Sequence, residues 1–277
     1  MFRRAGTALA VLALATGCQH APGPNGSAPP PPPPIDYAVL REQHNQRIAR
    51  IPTVRTSGVI ELRWRDERGG SHFEQGDIRL FLRLPDRLSL QVHKLGETFL
   101  WFGADQGGYW LFDLLNKDDR VLYLGRDAGA APADVPGAIH PLRLIDLLGM
   151  TALPDEAAVG YHEGHDAWLV ETVGQGGAVR LYFDRATLLP KRVEGLDGSR
   201  VICAGELRDY ESLAVDGLPP GLFPRIPMRI RLTDVRHDGE ATVALGEPTT
   251  RINERAFHNA FDVEQLVRML APHRRVE

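Results

Sequence analysis

The side chains in this 277-residue chain best suited to chemistry are two histidines three positions apart. In "YHEGHDAW", His162 and His165 enclose Glu163 and Gly164, and Asp166 follows. Imidazoles and carboxylates at that density are plausible metal ligands. The central glycine points instead to a hairpin tip, which would leave the same groups solvated. The segment "DLLNKDD", Asp113 to Asp119, carries oxygen ligands of the kind Ca²⁺ takes. It lacks the glycine and the closing glutamate of an EF-hand loop, so a charged turn is the expectation. Asp184, Glu194 and Asp197 are scattered, and nothing pairs them as acid and base. No G-x-S-x-G, H-E-x-x-H, phosphate-binding loop or C-x-x-C is present. The expectation is a protein that is not an enzyme and that uses no metal or cofactor. A hydrolase with an unfamiliar site is the weakest alternative.

The two cysteines differ in kind. Cys203 lies in "SRVICAGELRDY", a strand-like run, and reads as a buried apolar thiol. Cys18 follows a positive start (Arg3, Arg4), a short apolar run from Thr7 to Leu14 and the small residues Ala15-Thr16-Gly17. That layout is a secretory signal, too short to span a bilayer. With its cysteine, it resembles the bacterial lipoprotein signal, in which the cysteine is lipidated and becomes the mature N-terminus. Ala15 stands where that pattern prefers leucine. The alternative is an ordinary cleaved signal with a chance cysteine. By the same resemblance, Gln19 is not the aspartate that retains lipoproteins at the inner membrane, which implies an outer-membrane anchor. Two or more acyl chains on Cys18 would hold the protein stably there. An acylated Cys18 leaves Cys203 without a disulfide partner.

The formal net charge is −4. Loss of Arg3 and Arg4 with the leader makes the remainder more acidic, and no basic block survives, which argues against nucleic acid as a partner. The divisions expected are a leader over 1–17, a proline-rich tether over 18–34 and a folded domain over 35–277. The tether reads "QHAPGPNGSAPPPPPP" after Cys18, and Pro29 to Pro34 should form a polyproline II rod. It holds a domain off a membrane or, alternatively, serves as a ligand for a proline-binding domain. An amphipathic helix is expected from Asp36 to Ala49, with Val39, Leu40, Ile48 and Ile51 near one face.

From Thr53 the apolar period becomes two. Ile60, Leu62 and Trp64 share a face of one strand; Ile78, Leu80 and Leu82 share a face of the next. Leu88, Leu90 and Val92 share a face of a third. "ETFLWFGA", with Trp101, and "GYWLFDLL" are apolar on both faces and should lie under a helix or another strand. Pro141 then opens a helix containing Leu144 and Leu148 that is apolar nearly all round and must be covered. Further strands resume, and "FDVEQLVRMLAP" ends the chain with Asp262 and Gln265 placed as a capping box. About a dozen strands with one apolar face each must curl or be covered. The opposite faces carry Arg55, Arg63, Arg65, Arg79 and Arg83, which excludes a lipid-facing barrel. The fold class expected is mainly β with flanking helices (α+β): a strongly curved antiparallel sheet with an apolar concave interior, for which the helices at the start, middle and end are the available plugs. Ile60, Leu62, Trp64, Ile78, Leu80 and Leu82 are then expected to line an apolar interior. Leu88, Leu90, Val92, Trp101, Leu144 and Leu148 join them. A solid core built from the same residues is the alternative.

The order helix, "TSGVIELRW", "FEQGDIRLFLRLPDRLSLQ", "TFLWFGADQGGYWLFD" resembles the LolA/LolB superfamily of lipoprotein carriers and receptors. "YFDRATLLPKRVEGLDGS" and "LRDYESLAVDGLPPGLFPRIPMRIRL" are similar to a second stretch of that superfamily. The likeness covers about Ile35 to Leu245. It implies an incomplete barrel closed by helices over a cavity for acyl chains, with lipids or lipoprotein acyl chains as cargo and a periplasmic carrier protein as a partner. In the carriers an arginine directly before the corner proline helps hold the lid. Here the order is Arg83-Leu84-Pro85, so the arginine should face the other way. The receptors have a protruding leucine loop; Leu100 and Trp101 fall near that region without either being assigned. The function expected is an anchored envelope lipoprotein that binds or passes on a lipid or acylated lipoprotein. The alternative is a protein-interaction or sensor module on the same fold with a filled core.

Overall fold

The computed structural model describes residues 32–65, 68–106, 108–126, 140–236 and 238–277. The expected leader, Cys18 and nearly all of the tether lie outside these residues. Pro33–Glu277 is one compact unit containing every described helix and strand.

Helix α1 (Tyr37–Ala49) begins where the Asp36 carboxylate accepts the Ala38 amide at 2.9 Å, a cap that satisfies one free helix-start donor. Its buried face is Leu40, His44 and Arg47, followed by Ile51 just past the helix, while Val39 is exposed. Spacings of four, three and four keep these residues on one side. The face therefore differs from the one expected through Val39 and Ile48. It is polar because His44 and Arg47 are used to hold backbone elsewhere.

The chain then forms a meander: β1 (Val54–Arg65), β2 (Ser71–Arg83), β3 (Arg87–Lys94), β4 (Glu97–Asp105), β5 (Gly108–Asp113) and β6 (Val121–Gly125). Helix α2 (Pro141–Leu147) follows. Strands resume as β7 (Val159–His162), β8 (Ala167–Gly174), β9 (Gly177–Asp184), β10 (Pro190–Asp197), β11 (Arg200–Ser212), β12 (Arg225–Asp234) and β13 (Gly239–Leu245). Helices α3 (Glu254–Asn259) and α4 (Val263–Leu270) and the short β14 (Arg274–Val276) close the chain.

The described strands make one 14-stranded sheet in the order β14-β6-β5-β4-β3-β2-β1-β13-β12-β11-β10-β9-β8-β7. The first half grows from the centre to β6. The chain crosses to the far edge by way of α2, and the second half grows back until β13 pairs with β1, Ile60 opposite Val243. The two edges do not pair, so the sheet is an unclosed barrel. Its pairings are antiparallel except β14 with β6.

Alternation along the strands creates two apolar layers. On the inner face Ile60, Leu62, Leu80 and Leu90 join Leu144 and Leu148 of the α2 region and the inward residues of β8 to β13. On the other face Phe81, Trp101, Trp110 and Phe112 meet Phe257 and Leu266 of α3 and α4. This is why β4 and β5 are apolar on both sides. It also corrects one expectation: the C-terminal helices do not plug the inner face but cover the outer one, where bulky alternate residues need shielding from water. Arg83 belongs to that outer layer. Its guanidinium lies 4.0 Å from the Phe257 ring centroid and its Nε donates to Thr53 Oγ1 at 2.6 Å. Half of the capping box expected at α4 is present: Asp262 accepts the Gln265 amide at 2.8 Å, while the Asp262 amide donates to the His258 carbonyl at 3.1 Å instead of to the Gln265 side chain.

Candidate functional site: an apolar void beneath a buried helix

All seven residues of α2 are buried. Its leucines face the sheet, and the space between holds two small voids. One, of about 30 Å³, is bounded by Ile60, Leu62, Leu80 and Leu90 from the first half and by Leu144 and Leu148 from above; Ile230, Leu232, Ala241 and Val243 complete it. The other, of about 20 Å³, is bounded by Leu82, Met150 and Ile226 and shares Leu80, Leu148 and Leu245 with the first. No charged side chain lines either. A volume of this order holds a water or two, so any larger apolar guest must displace side chains or lift α2.

The remaining expected lining residues are distributed differently. Ile78, Leu88 and Val92 are buried in the same core but do not border the voids. Trp64 is half-buried at the open end of β1, stacked on His72 with centroids 5.1 Å apart. Trp101 is not inside at all: Gln91 stands opposite it, while Leu90 stands opposite Phe102, so Phe102 shares the inner face and Trp101 the outer. Trp101 Nε1 donates to Ser89 Oγ at 3.0 Å under the C-terminal helices. The sequence reading missed Phe102, Leu111 and the inward residues of β12 and β13. Their alternation was visible, but their position beside β1 depends on a pairing between distant segments.

Hydrogen bonds rather than strand pairing hold α2 down. The Asp146 carboxylate accepts the Gly176 amide at 2.8 Å, the Gln175 amide at 3.1 Å and the Thr151 hydroxyl at 2.5 Å. Burial nevertheless raises its pKa, opposed by those three bonds and by Arg143. The β8–β9 turn must approach closely to make these bonds. A Cβ at Gly174 would lie 2.2 Å from Asp146 Oδ1, and one at Gly176 2.2 Å from Arg143 Cγ. From the same turn, Gln175 Nε2 donates to the Pro85 carbonyl at 3.1 Å, which ties the second half to the β2–β3 corner across α2.

Helix α1 secures the segment after α2. His44 Nε2 donates to the Thr151 carbonyl at 2.8 Å, and Asn45 exchanges two 2.8 Å bonds with the Leu153 backbone. Arg47 donates to the carbonyls of Gly149 at 2.5 Å and Arg225 at 3.1 Å. Burial, with help from the Arg47 charge, pushes His44 down to about 3, so its imidazole is neutral with the proton on Nε2.

The residues considered for chemistry lie elsewhere. His162 and His165 occupy the tip of the β7–β8 hairpin, their rings stacked 4.7 Å apart, and His162 Nδ1 accepts the His165 amide at 3.2 Å. Asp184 caps its own turn by accepting the Thr187 amide at 2.8 Å. Glu194 accepts from Tyr182 Oη at 2.8 Å and Arg192 Nε at 2.9 Å; burial and this carboxylate push Tyr182 up to about 12. In the 113–119 turn, Asp113 and Asn116 accept the amides of Leu115 and Asp118. Among the described residues, no three His, Cys, Asp or Glu side chains are grouped to hold a metal ion. Cys203 is buried, and burial pushes its thiol up to about 11.

Leu100 and Trp101 are buried, so neither protrudes. Leu95 does: it sits at the tip of the β3–β4 turn, 98% exposed, with a left-handed φ of 53°. That region of φ disfavours leucine, and no inward packing compensates for it.

No family model matches the sequence, and no curated protein matches it. Solved structures do. A DUF1329 family protein from Desulfovibrio piger aligns with a TM-score of 0.53 at 12% identity, over 79% of this chain and 94% of that one. A LolA superfamily protein from Nitrosomonas europaea aligns with a TM-score of 0.47 at 10% identity, over 81% of this chain and 98% of that one. Helices set against an incomplete, mainly antiparallel barrel are thus a fold that this chain shares with the Desulfovibrio protein.

Proposed function

We propose that this chain is a lipid-anchored lipoprotein of the bacterial envelope. In this reading it binds or passes on an acyl chain of a lipid or lipoprotein within the sheet and catalyses no reaction. The observation that carries it is the apolar space between the inner face and α2, roofed by a helix that apolar packing and side-chain hydrogen bonds, rather than strand pairing, hold in place. In the closed state Leu144 and Leu148 occupy the position of the guest. Lifting them costs roughly 1.5–3 kcal/mol each, and a chain entering in their place regains ~0.8 kcal/mol per buried methylene. Eight methylenes would contribute ~6 kcal/mol before the costs of association. The exchange is nearly even, which suits reversible loading. Leu95 fits the protruding leucine that the resemblance implies for receptors. The anchor would be Cys18, placed in the outer membrane, with a periplasmic carrier as the protein partner.

Native mass spectrometry of the Pro33–Glu277 unit purified from cells tests the reading. Co-purified acyl lipid is the expected result. An empty protein that takes up no fluorescent fatty acid would instead support the filled-core interaction module, which the small size of the voids favours. For the anchor, Cys18→Ala should release the protein from the membrane fraction.

A further inference from the structure

Arg47 is a buried cation without a counter-charge. It is 7% exposed, and among the described residues no carboxylate forms an ion pair with it. Its guanidinium contacts are neutral: the Gly149 and Arg225 carbonyls and, at 3.7 Å, the Met150 sulfur. Its Nε has no partner. The side chain that acts on it electrostatically is Tyr210, whose hydroxyl is committed to the Pro190 carbonyl at 2.6 Å, and His44, three residues earlier in α1, is neutral. A buried unpaired charge costs several kcal/mol relative to a paired one, and two carbonyls compensate it only in part.

The position of this charge is informative. Gly149 lies between Leu148 and Met150, and Arg225 precedes Ile226; Leu148, Met150 and Ile226 all border the smaller void. The guanidinium therefore stands one side-chain layer behind the end of the apolar space. The layer is Met150, an unbranched thioether that changes rotamer readily. A pair of apolar voids ending near an uncompensated, unavoidably charged guanidinium is complementary to a molecule with a hydrocarbon chain and one anionic end.

We propose that the site takes a single free fatty acid, with its chain under α2 and its carboxylate on Arg47 after Met150 swings aside. The inference rests on the acyl-binding reading above and narrows it. The voids are small, so displacing the side chains that roof them makes room for one chain rather than several, and a carboxylate is the anion whose two oxygens match the guanidinium fork. The rival role for Arg47 is a staple that only caps the carbonyls following α2.

The experiment compares a fluorescent polyene fatty acid with its methyl ester in titrations of the Pro33–Glu277 unit. The wild type should bind the acid at least tenfold more tightly than the ester. Arg47→Met should abolish that preference, and Arg47→Lys should keep part of it. Equal binding of acid and ester by the wild type overturns the inference and leaves acyl binding standing; this arm needs no variant to fold. Binding of neither probe removes both readings. Preference retained in a folded Arg47→Met assigns the carboxylate to another group and also overturns it.

Discussion

His44 and Asp146 bond to opposite ends of one residue. His44 donates to the Thr151 carbonyl at 2.8 Å, and the Thr151 hydroxyl donates to Asp146 at 2.5 Å. One group comes from α1 and the other from α2, so Thr151 joins the two helices. Their titrations oppose each other. His44 falls from its ordinary 6.5 to about 3 through burial, so the folded state binds fewer protons than the unfolded chain. Its stabilising contribution is complete above pH 6.5 and is lost as pH falls toward 3. Asp146 is raised above 3.8, first by burial, so the folded state holds its proton longer. Its contribution is lost as pH rises from 3.8 through the raised value. The check is urea unfolding from pH 4 to 7. The advantage of wild type over His44→Phe should shrink on acidification, by up to about 1.4 kcal/mol per pH unit. The advantage over Asp146→Asn should grow. Two profiles of the same slope would contradict the arrangement.

The close approach of the β8–β9 turn makes Gly176 sensitive. Gly176→Ala places a methyl 2.2 Å from Arg143 Cγ and 2.9 Å from its Cα, and backbone cannot rotate away. A loss of about 1–3 kcal/mol is expected, read from the urea midpoint. Gly160→Ala, where nothing lies within 4 Å, should be neutral or gain up to ~1 kcal/mol.

The void can be enlarged or filled. Leu144→Ala should cost about 2–5 kcal/mol and raise the affinity for a fluorescent fatty acid, because part of the roof is gone. Ala241→Leu should leave the far-UV spectrum intact and weaken probe binding at least tenfold, since the new side chain occupies the space. Unchanged affinity in both variants would place any binding outside the α2 cavity.

Leu95 separates stability from function. Asparagine tolerates the left-handed region better than leucine, so Leu95→Asn should unfold at the same urea concentration as wild type or up to ~1 kcal/mol later. Vesicle flotation of the loaded protein should nevertheless fall several-fold. Unaltered flotation would deny the exposed leucine a part in contact with lipid.

Local pattern was legible in proportion to how local it was. Asp262 caps the helix that its spacing indicated, and the alternation Val54, Thr56, Ile60, Leu62 is the buried face of β1. A large curved sheet followed from counting one-sided strands, and its failure to close was implied by the resemblance. Trp101 was assigned to the wrong layer because β3 and β4 shift register between Val92 and His93, and a strand apolar on both sides carries no mark of which side is inner. His44 and Arg47 were invisible as anchors because their partners, the Thr151 and Gly149 carbonyls, are backbone groups brought near by the tertiary fold. Leu95 was hidden for a similar reason: nothing in "HKLGET" distinguishes a leucine at a turn tip from one in a strand.

The order in which the sheet is assembled has a kinetic consequence. β1 is among the first strands to leave the ribosome, and its partner β13 is among the last, with Val59 opposite Ala244. Until that strand arrives, one long central edge and the apolar side of the first half stay exposed, in a topology dominated by non-local pairing. Such chains fold slowly and are prone to aggregate while they wait. Truncations that remove β13 should therefore accumulate as aggregates rather than as a smaller folded domain.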